Sequence, residues 1–308
     1  MVLEQHNATL YGFKHLEVLA HQIVEGFISG MHKSPFHGFS AEFAEHKLYN
    51  AGESTKHIDW KLFAKSDRLY TKRYEEDTNL RCHLIIDQSA SMHYPQLTTG
   101  EPFYRSKIGF SVMASAILMN LLKKQRDAVG LSIYSDKYDF YAPEKGSDRH
   151  HRMLLNQLEG MLEAPKVARS TDSITYLHQI AEKMHRRSLI FLFTDLFQEG
   201  DSAKLFQALQ HLKHNKHRVV LFHVLHKETE SELQLDSKPR KFIDVETGET
   251  LQLFAENVQE NYKKAVSAHL KDIENACTQY RISYVPVAVE NNFDQIMTTY
   301  LVERQKFA

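Results

Sequence analysis

Hydrophobic residues recur along this chain in two alternating patterns: short continuous runs of strand length and longer stretches with helical spacing. The runs predict strands over 81–86, 129–134, 188–195, 218–225 and 282–289. The helical spacing predicts helices over 12–31, 104–124, 150–163, 173–185, 201–214, 256–280 and 293–304. Strands that alternate with helices over about 200 residues indicate a doubly wound, mostly parallel α/β sheet.

Residues 34–79 follow a different pattern, with short aromatic-rich pieces separated by polar turns. Apolar and polar residues alternate over 69–74, which predicts a strand. We interpret the N-terminal helix and a small irregular β layer as an extension over 1–79, followed by the main domain over 80–308. Within that domain a hairpin around Thr247 and Gly248 is predicted as an insertion near 240–253.

The strand over 81–86 ends abruptly in polar side chains, with Asp87, Ser89 and Ser91 at alternate positions. In open α/β sheets ligands bind in the crevice at the carboxyl ends of the strands. Carboxylate and hydroxyl oxygens are the ligands that suit a hard cation such as Mg²⁺ or Mn²⁺. The alternative is structural, with Asp87 capping a turn and the serines satisfying loop amides.

Two later loops carry similar side chains. Thr171 and Asp172 precede a predicted helix, and Asp195 ends the apolar run over 188–195. The order and spacing of the three loops resemble the metal-ion-dependent adhesion site of the von Willebrand factor A-like fold. That resemblance implies hydroxyl ligands from Ser89, Ser91 and Thr171, and direct or water-mediated binding by Asp87 and Asp195. A remaining coordination position would then accept a carboxylate, Asp or Glu, from a partner protein.

Four segments before the site resemble the signature of the bacterial family known as domain of unknown function 58: 39–43, 49–53, 58–60 and 64–70. The hairpin over 242–251 and the strand around 284–287 resemble that family too, so the resemblance covers nearly the whole chain. It implies a MoxR-type AAA+ ATPase as a partner.

The chain departs from the family pattern in places. Gly52-Glu53 replaces Gly-Asp, Ala64-Lys65 replaces Ala-Arg, and Arg169-Ser170 precedes Thr171 where glycines are usual. Lysine lacks the planar fork of arginine, so a bidentate contact of the family would be lost at Lys65. The Arg169-Ser170 departure predicts an altered affinity for the metal.

Composition and charge narrow the function classes. Lys plus Arg number 38 against 39 for Asp plus Glu, which leaves no electrostatic footprint for nucleic acid. Cys82 and Cys277 form no disulfide framework, as expected in a reducing compartment. The apolar stretch 108–122 is too short to span a bilayer, and the N-terminus has no signal pattern. We therefore expect a cytoplasmic protein with no membrane span.

These observations predict a non-enzymatic, metal-dependent protein-binding module that serves as an adaptor for the ATPase. A metal-dependent phosphoester hydrolase is the alternative, with Asp172 as the only further acid in the loops to serve as a general base. A structural module that has lost its metal is a third. The sequence has no P-loop motif, which argues against an ATPase, and no G-x-S-x-G motif, which argues against a serine hydrolase. An aspartyl phosphotransferase has a second acid two residues after its nucleophile, and Ser89 occupies that position here, which argues against this class of enzyme.

Two further groups of residues receive structural interpretations. The histidines that suggest zinc are His211, His214, His217, His223 and His226. Three of them end a predicted helix, where positive side chains balance the helix dipole, and no cysteine or acid completes a tetrad. Beside the site, Tyr104, Arg105 and Lys107 begin a helix. A functional role for them would be to orient a partner's acidic group, but we expect them simply on an exposed helix face.

Overall fold

The structure is a computed structural model, and the residues it describes are 16–30, 43–48, 59–66, 68–74, 80–98, 100–135, 138–163, 173–196, 202–235, 239–243 and 249–306. The chain divides into two compact units. The larger unit comprises residues 1–30 and 80–308, and the smaller one comprises residues 31–79.

In the smaller unit, two described strands pair antiparallel and a short helix lies between them in sequence. The strands are β1 (Phe43–Leu48) and β2 (Tyr70–Tyr74), and the helix is α2 (Trp60–Ser66). Asp59 caps this helix, because its Oδ1 accepts hydrogen bonds from the backbone nitrogens of Lys61 (3.0 Å) and Leu62 (3.1 Å). The predicted strand over 69–74 is thus present as β2.

A mixed sheet forms the centre of the larger unit. Its described strands are β3 (Arg81–Asp87), β4 (Ala128–Tyr134), β5 (Tyr138–Lys145), β6 (Leu189–Thr194), β7 (Arg218–Leu225) and β10 (Ser283–Ala288). Their order across the sheet is β10-β7-β6-β3-β4-β5. All neighbouring strands run parallel except β5, which pairs antiparallel with β4. This order confirms the predicted α/β class with a mostly parallel sheet.

The central strands are buried on both faces, which explains their continuous apolar runs. Every residue of β6 is buried, and in β3 only the first residue, Arg81, is exposed. Strands of a parallel sheet are covered by helices on both sides, so neither face keeps a polar alternation. Each edge strand carries a proline, Pro143 in β5 and Pro286 in β10.

Helices cover both faces of this sheet. The described helices of the larger unit are α1 (Leu16–Gly30), α3 (Lys107–Lys124), α4 (Asp148–Glu163), α5 (Ser173–Lys183), α6 (Ser202–His214), α7 (Ala255–Gln279) and α8 (Phe293–Lys306). On one face α5, α6 and α7 pack against Ile85, Ile190 and Leu192. On the other, Tyr300 of α8 contacts the rings of Phe191 and Phe222.

Helix α3 is buried along nearly its whole length, with fifteen of its eighteen residues inside. A helix that is apolar on all sides needs partners on all sides, and α1 and α4 pack against α3. The side chains of Leu16, Leu19 and Ile23 of α1 are buried. Burial of each stabilises the folded state by roughly 1.5–3 kcal/mol. The N-terminal helix therefore packs within the larger unit. The prediction from the sequence had assigned it to the extension over 1–79.

Two additional strands lie between β7 and α7. They are β8 (Pro239–Ile243) and β9 (Thr250–Phe254), which pair antiparallel in the region of the predicted hairpin. The predicted turn at Thr247 and Gly248 lies outside the described residues. A single turn of π-helix spans Lys227–Ser231, directly after β7.

Candidate functional site

The loops after β3 and β6 lie at the carboxyl edge of the sheet, where the strand order reverses. Numbered along the chain within the sheet, the strands read 3-2-1-4-5-6 from β5 to β10. The crevice between the first and fourth strands, β3 and β6, is the switch point at which doubly wound sheets bind ligands. Asp87 is the last residue of β3, and Asp195 follows the last residue of β6.

The Asp87 carboxylate shapes the turn that carries the two serines. Its Oδ1 accepts a hydrogen bond of 2.9 Å from the backbone nitrogen of Ser89, and a 3₁₀ turn then spans Ala90–His93. This turn brings the hydroxyls of Ser89 and Ser91 to 3.0 Å from each other. All three side chains are buried. The structure thus brings together the first three predicted site residues.

Thr194 joins this turn to the neighbouring strand. Its Oγ1 donates a hydrogen bond of 2.8 Å to Asp87 Oδ2 and accepts one of 3.1 Å from the backbone nitrogen of Leu196. Leu196 has a positive φ of 52°, which turns the chain sharply just after Asp195. The threonine hydroxyl therefore fixes the position of the β6 loop relative to Asp87.

Lys107 is the cation of this region. Its Nζ donates a hydrogen bond of 2.8 Å to Asp195 Oδ2 and another to Glu230 Oε1. The side chain is 0% exposed, so the sequence-based expectation of an exposed helix face is wrong for this residue. Burial by itself lowers the pKa of the ammonium, but the two carboxylates outweigh that effect and raise it. Lys107 is therefore charged at neutral pH.

Among the described side chains named above, three carboxylates stand beside one ammonium. Asp195 and Glu230 pair with Lys107, and Asp87 lies near enough to Asp195 to feel its charge. Burial and then the charge of Asp195 raise the pKa of Asp87 to about 6, although hydrogen bonds from Ser89 and Thr194 lower it. A metal cation bound beside Asp87 would lower this raised pKa and favour the charged carboxylate.

The π-helical turn over Lys227–Ser231 borders the site. Glu230 Oε2 accepts a hydrogen bond of 2.7 Å from the backbone nitrogen of His226, and Tyr262 of α7 donates one of 2.7 Å to the Glu230 carbonyl. Tyr94, just after the serine turn, donates a hydrogen bond of 2.8 Å to Thr229 Oγ1. Single π-helical turns occur frequently at functional sites.

The donor set at this edge fits a hard cation. Carboxylate oxygens of Asp87 and Asp195 and hydroxyls of Ser89 and Ser91 are the ligand types that Mg²⁺ and Mn²⁺ prefer. Thr171 and Asp172 lie outside the described residues. The described residues contain no group of three His, Cys, Asp or Glu side chains arranged to hold a metal. Serine hydroxyls would therefore have to complete any ligand set here.

Sequence reasoning missed two members of this cluster, Thr194 and Glu230, and it named Lys107 beside the site but expected it on an exposed helix face. Thr194 had a usable signal, because it directly precedes Asp195 at the end of a strand predicted to lie in the same sheet as Asp87. The contact between Lys107 and Glu230 had no such signal in the sequence, since 123 positions separate the two residues and only the folded chain brings them together.

Comparison with known proteins identifies the family. The family model described as "Protein of unknown function DUF58" matches residues 45–272, which is more than half of the chain. The chain belongs to this family. The resemblance noted in the segments before the site is thereby confirmed.

A curated relative and two solved structures are similar to this family member at lower levels. "Uncharacterized protein Rv1480" of Mycobacterium tuberculosis is 22% identical over 180 residues, which is 58% of this chain and 55% of the relative. The chain thus spans about half the length of that relative. The crystal structure titled "aerotolerance-related membrane protein" from Bacteroides fragilis has a TM-score of 0.42 at 14% identity, covering 74% of this chain and 99% of that one. The structure titled "SpRpn10 VWA domain" has a TM-score of 0.38 at 12% identity, covering 72% and 95%.

The expected cytoplasmic location is corrected by these comparisons, because a structural neighbour is titled a membrane protein. The reasoning failed because neither the balance of charge nor the two cysteines, Cys82 and Cys277, report on association with a membrane. Within the described part of the chain, no helix is both long and apolar enough to cross a bilayer.

Proposed function

We propose that this DUF58 family member is a non-enzymatic protein-interaction module that captures a partner's carboxylate through a hard divalent cation, Mg²⁺ or Mn²⁺. The ligands would be Asp87, Ser89, Ser91 and Asp195, together with Thr171. The observation that carries the proposal is the buried group of oxygen side chains at the switch point of the sheet, where carboxylates outnumber the neighbouring ammonium.

The chain's own residues would prepare this site in two ways. The Asp87 turn holds the hydroxyls of Ser89 and Ser91 side by side before any ligand arrives. Lys107 holds Asp195 in place and balances part of its charge. A bound cation would supply concentrated positive charge for a partner's carboxylate, and the surface around it would supply specificity.

A MoxR-type AAA+ ATPase is the partner we propose for this module, which would act as its adaptor. The family resemblance of the N-terminal segments supports this choice. A pull-down of the ATPase by the full chain should succeed in Mg²⁺ and fail in EDTA. Capture that is equally strong in EDTA or with Asp87→Ala would contradict a metal-dependent contact.

The metal site is tested by isothermal titration of Mg²⁺ and Mn²⁺ into chelator-stripped full chain. We expect one saturable event that disappears in Asp87→Ala and weakens in Ser89→Ala. Ser115→Ala is the matched control, because Ser115 is also buried and, among the described residues, its hydroxyl lacks a hydrogen-bond partner. Absence of binding to the wild-type chain, or equal binding by all variants, would refute the site.

The non-enzymatic part of the proposal has a separate test. Hydrolysis of a generic phosphoester by the purified wild-type chain, lost in Asp87→Ala, would favour the hydrolase alternative. We expect no turnover above that of the Asp87→Ala variant. The basis is that Asp195 and Glu230 both pair with Lys107 and that Asp87 would bind the cation, so none of these three carboxylates is left to act as a general base.

A further inference from the structure

A second site is formed by two histidines on neighbouring helices, on the face of the sheet covered by α5 and α6. His178 lies on α5 and His211 on α6, and their Nδ1 atoms are 2.8 Å apart. The ring centroids are 5.0 Å apart, with the ring planes tilted by 39°. Both residues are half-buried. We propose that His178 and His211 bind a transition-metal ion of the Ni²⁺, Cu²⁺ or Zn²⁺ class between the two helices.

The distance between the nitrogens matches two ligands of one metal. Imidazole nitrogens bind such metals at about 2.0–2.1 Å, so two of them at a right angle on one ion lie about 2.9 Å apart. In a tetrahedral arrangement the separation is about 3.3 Å. The observed 2.8 Å is close to the separation that Cu²⁺ or Ni²⁺ requires, and each ring has to turn so that its Nδ1 lone pair points at the ion instead of at the other nitrogen. Zn²⁺ requires the rings to separate by about half an ångström.

The proton balance also permits metal binding. A hydrogen bond between two ring nitrogens needs a proton on one Nδ1 and a lone pair on the other. When a metal replaces that proton, the protonated ring moves to the tautomer with hydrogen on Nε2, and both Nδ1 lone pairs face the ion. No net charge is lost from either ring. Because the pair is half-buried, water can reach the ion and complete its coordination.

The helices hold the pair in place. Leu177, Ile180 and Ala181 of α5 and Ala208, Leu209 and Leu212 of α6 are buried in one apolar cluster. These residues flank His178 and His211 in sequence, so the backbone on both sides of the pair is packed. A site on two packed helices is better ordered than one on loops.

Two other buried histidines of the described chain have both ring nitrogens engaged by protein groups. His223 uses Nε2 on the Asp195 carbonyl and Nδ1 on the Tyr284 hydroxyl. His83 uses Nδ1 on Glu144 and Nε2 on Ser132. Within the histidine-rich segment 211–226, His211 differs from these residues because its Nδ1 faces the nitrogen of another imidazole ring. Its partner, His178, lies outside that segment.

Isothermal titration of Ni²⁺ and Zn²⁺ into the full chain with Asp87→Ala tests the site, because this variant removes a ligand of the proposed hard-cation site. We expect one equivalent of binding that weakens at least about tenfold when His178→Ala or His211→Ala is added, since loss of a ligand costs no less than loss of the groups that support it. His21→Ala is the matched control, because His21 is an exposed histidine on α1 with a 58% exposed side chain. Electron paramagnetic resonance of the Cu²⁺ form should show two coordinated nitrogens.

The outcomes separate this inference from the proposed function. Equal Ni²⁺ and Zn²⁺ binding by the Asp87→Ala chain with and without either histidine substitution would overturn the two-histidine site, as would the same loss of affinity in His21→Ala. Thermal unfolding of each metal-free histidine variant should match the Asp87→Ala chain, so that lost binding is not lost folding. Mg²⁺ titration of His178→Ala in the chain that keeps Asp87 should be unchanged, whatever the result with Ni²⁺.

Discussion

At the scale of single residues, Lys107 determines the charge balance of the candidate site. Lys107→Met removes the ammonium that pairs with Asp195 and Glu230. Buried Asp195 and half-buried Glu230 then lose this ion pair, and breaking a buried ion pair in this way costs about 3–5 kcal/mol. We expect that decrease in the free energy of unfolding, measured by urea denaturation at pH 7.

Two further variants make the Lys107 test specific. Lys124→Met removes a partly exposed lysine of the same helix, whose ion pair with Glu25 lies at the surface, and should leave the denaturation midpoint almost unchanged. Lys107→Met combined with Glu230→Gln should recover part of the loss, because one unpaired charge disappears with the glutamate. Equal effects of Lys107→Met and Lys124→Met would contradict a buried triad.

Gly130 provides a second residue-scale prediction. A Cβ atom at Gly130 would lie 2.5 Å from His83 Nδ1 and 2.8 Å from the carbonyl oxygen of Ala142. The backbone of the neighbouring strand cannot yield easily, so Gly130→Ala should destabilise the fold by about 1–3 kcal/mol. A Cβ atom at Gly160 of α4 would meet no described atom within 4 Å beyond its own helix backbone and chain neighbours. Gly160→Ala should therefore stabilise by about 0.5–1 kcal/mol, and urea denaturation of both variants should show opposite signs.

At the scale of elements, a buried chain of hydrogen bonds ties the antiparallel strand β5 to β3. Glu144 of β5 accepts hydrogen bonds from His83 Nδ1 of β3 at 2.7 Å and from His185 Nδ1 at 3.0 Å. His83 Nε2 contacts Ser132 Oγ of β4 at 2.6 Å. Burial by itself raises the pKa of Glu144, but the hydrogen bonds and charge of His83 outweigh it and lower the pKa to about 2.

This lowered pKa predicts a pH-dependent contribution to stability. The Glu144 carboxylate stabilises the fold fully above its ordinary pKa of about 4.3, and the contribution is lost as the pH falls towards 2. Glu144→Gln should therefore cost about 3 kcal/mol at pH 6 and much less near pH 2.5. Urea denaturation of both chains across this range is the measurement. A difference that does not change with pH would show that packing, not charge, holds β5 in place.

The sequence predicts elements well where one physical signal dominates. Continuous apolar runs located β3, β4, β6 and β7, because burial on both faces leaves no other pattern. The short helix α2 was not predicted, since seven residues carry too little periodicity to stand out among aromatic-rich turns. Asp59, a residue type that often caps the start of a helix, was the feature of the sequence that could have indicated α2.

At the scale of the whole molecule, the limits of sequence reasoning follow from distance along the chain. Asp87, Ser89 and Ser91 belong to one loop, so their grouping could be predicted locally. The contacts of Lys107 with Glu230 and of His178 with His211 join helices and turns far apart in sequence. A lysine at the start of a helix is exposed in most proteins, and only tertiary packing buries this one.

The two edge prolines bear on how this sheet can meet other chains. A strand at the edge of a sheet presents backbone N–H groups that invite pairing with a foreign strand, and proline removes one such donor. Pro286 interrupts β10 on one side, and Pro143 interrupts β5 on the other, where the pairing with β4 is also irregular. Both flanks thus discourage fibril-like growth, which leaves the loop-bearing end of the sheet as the surface suited to selective contact.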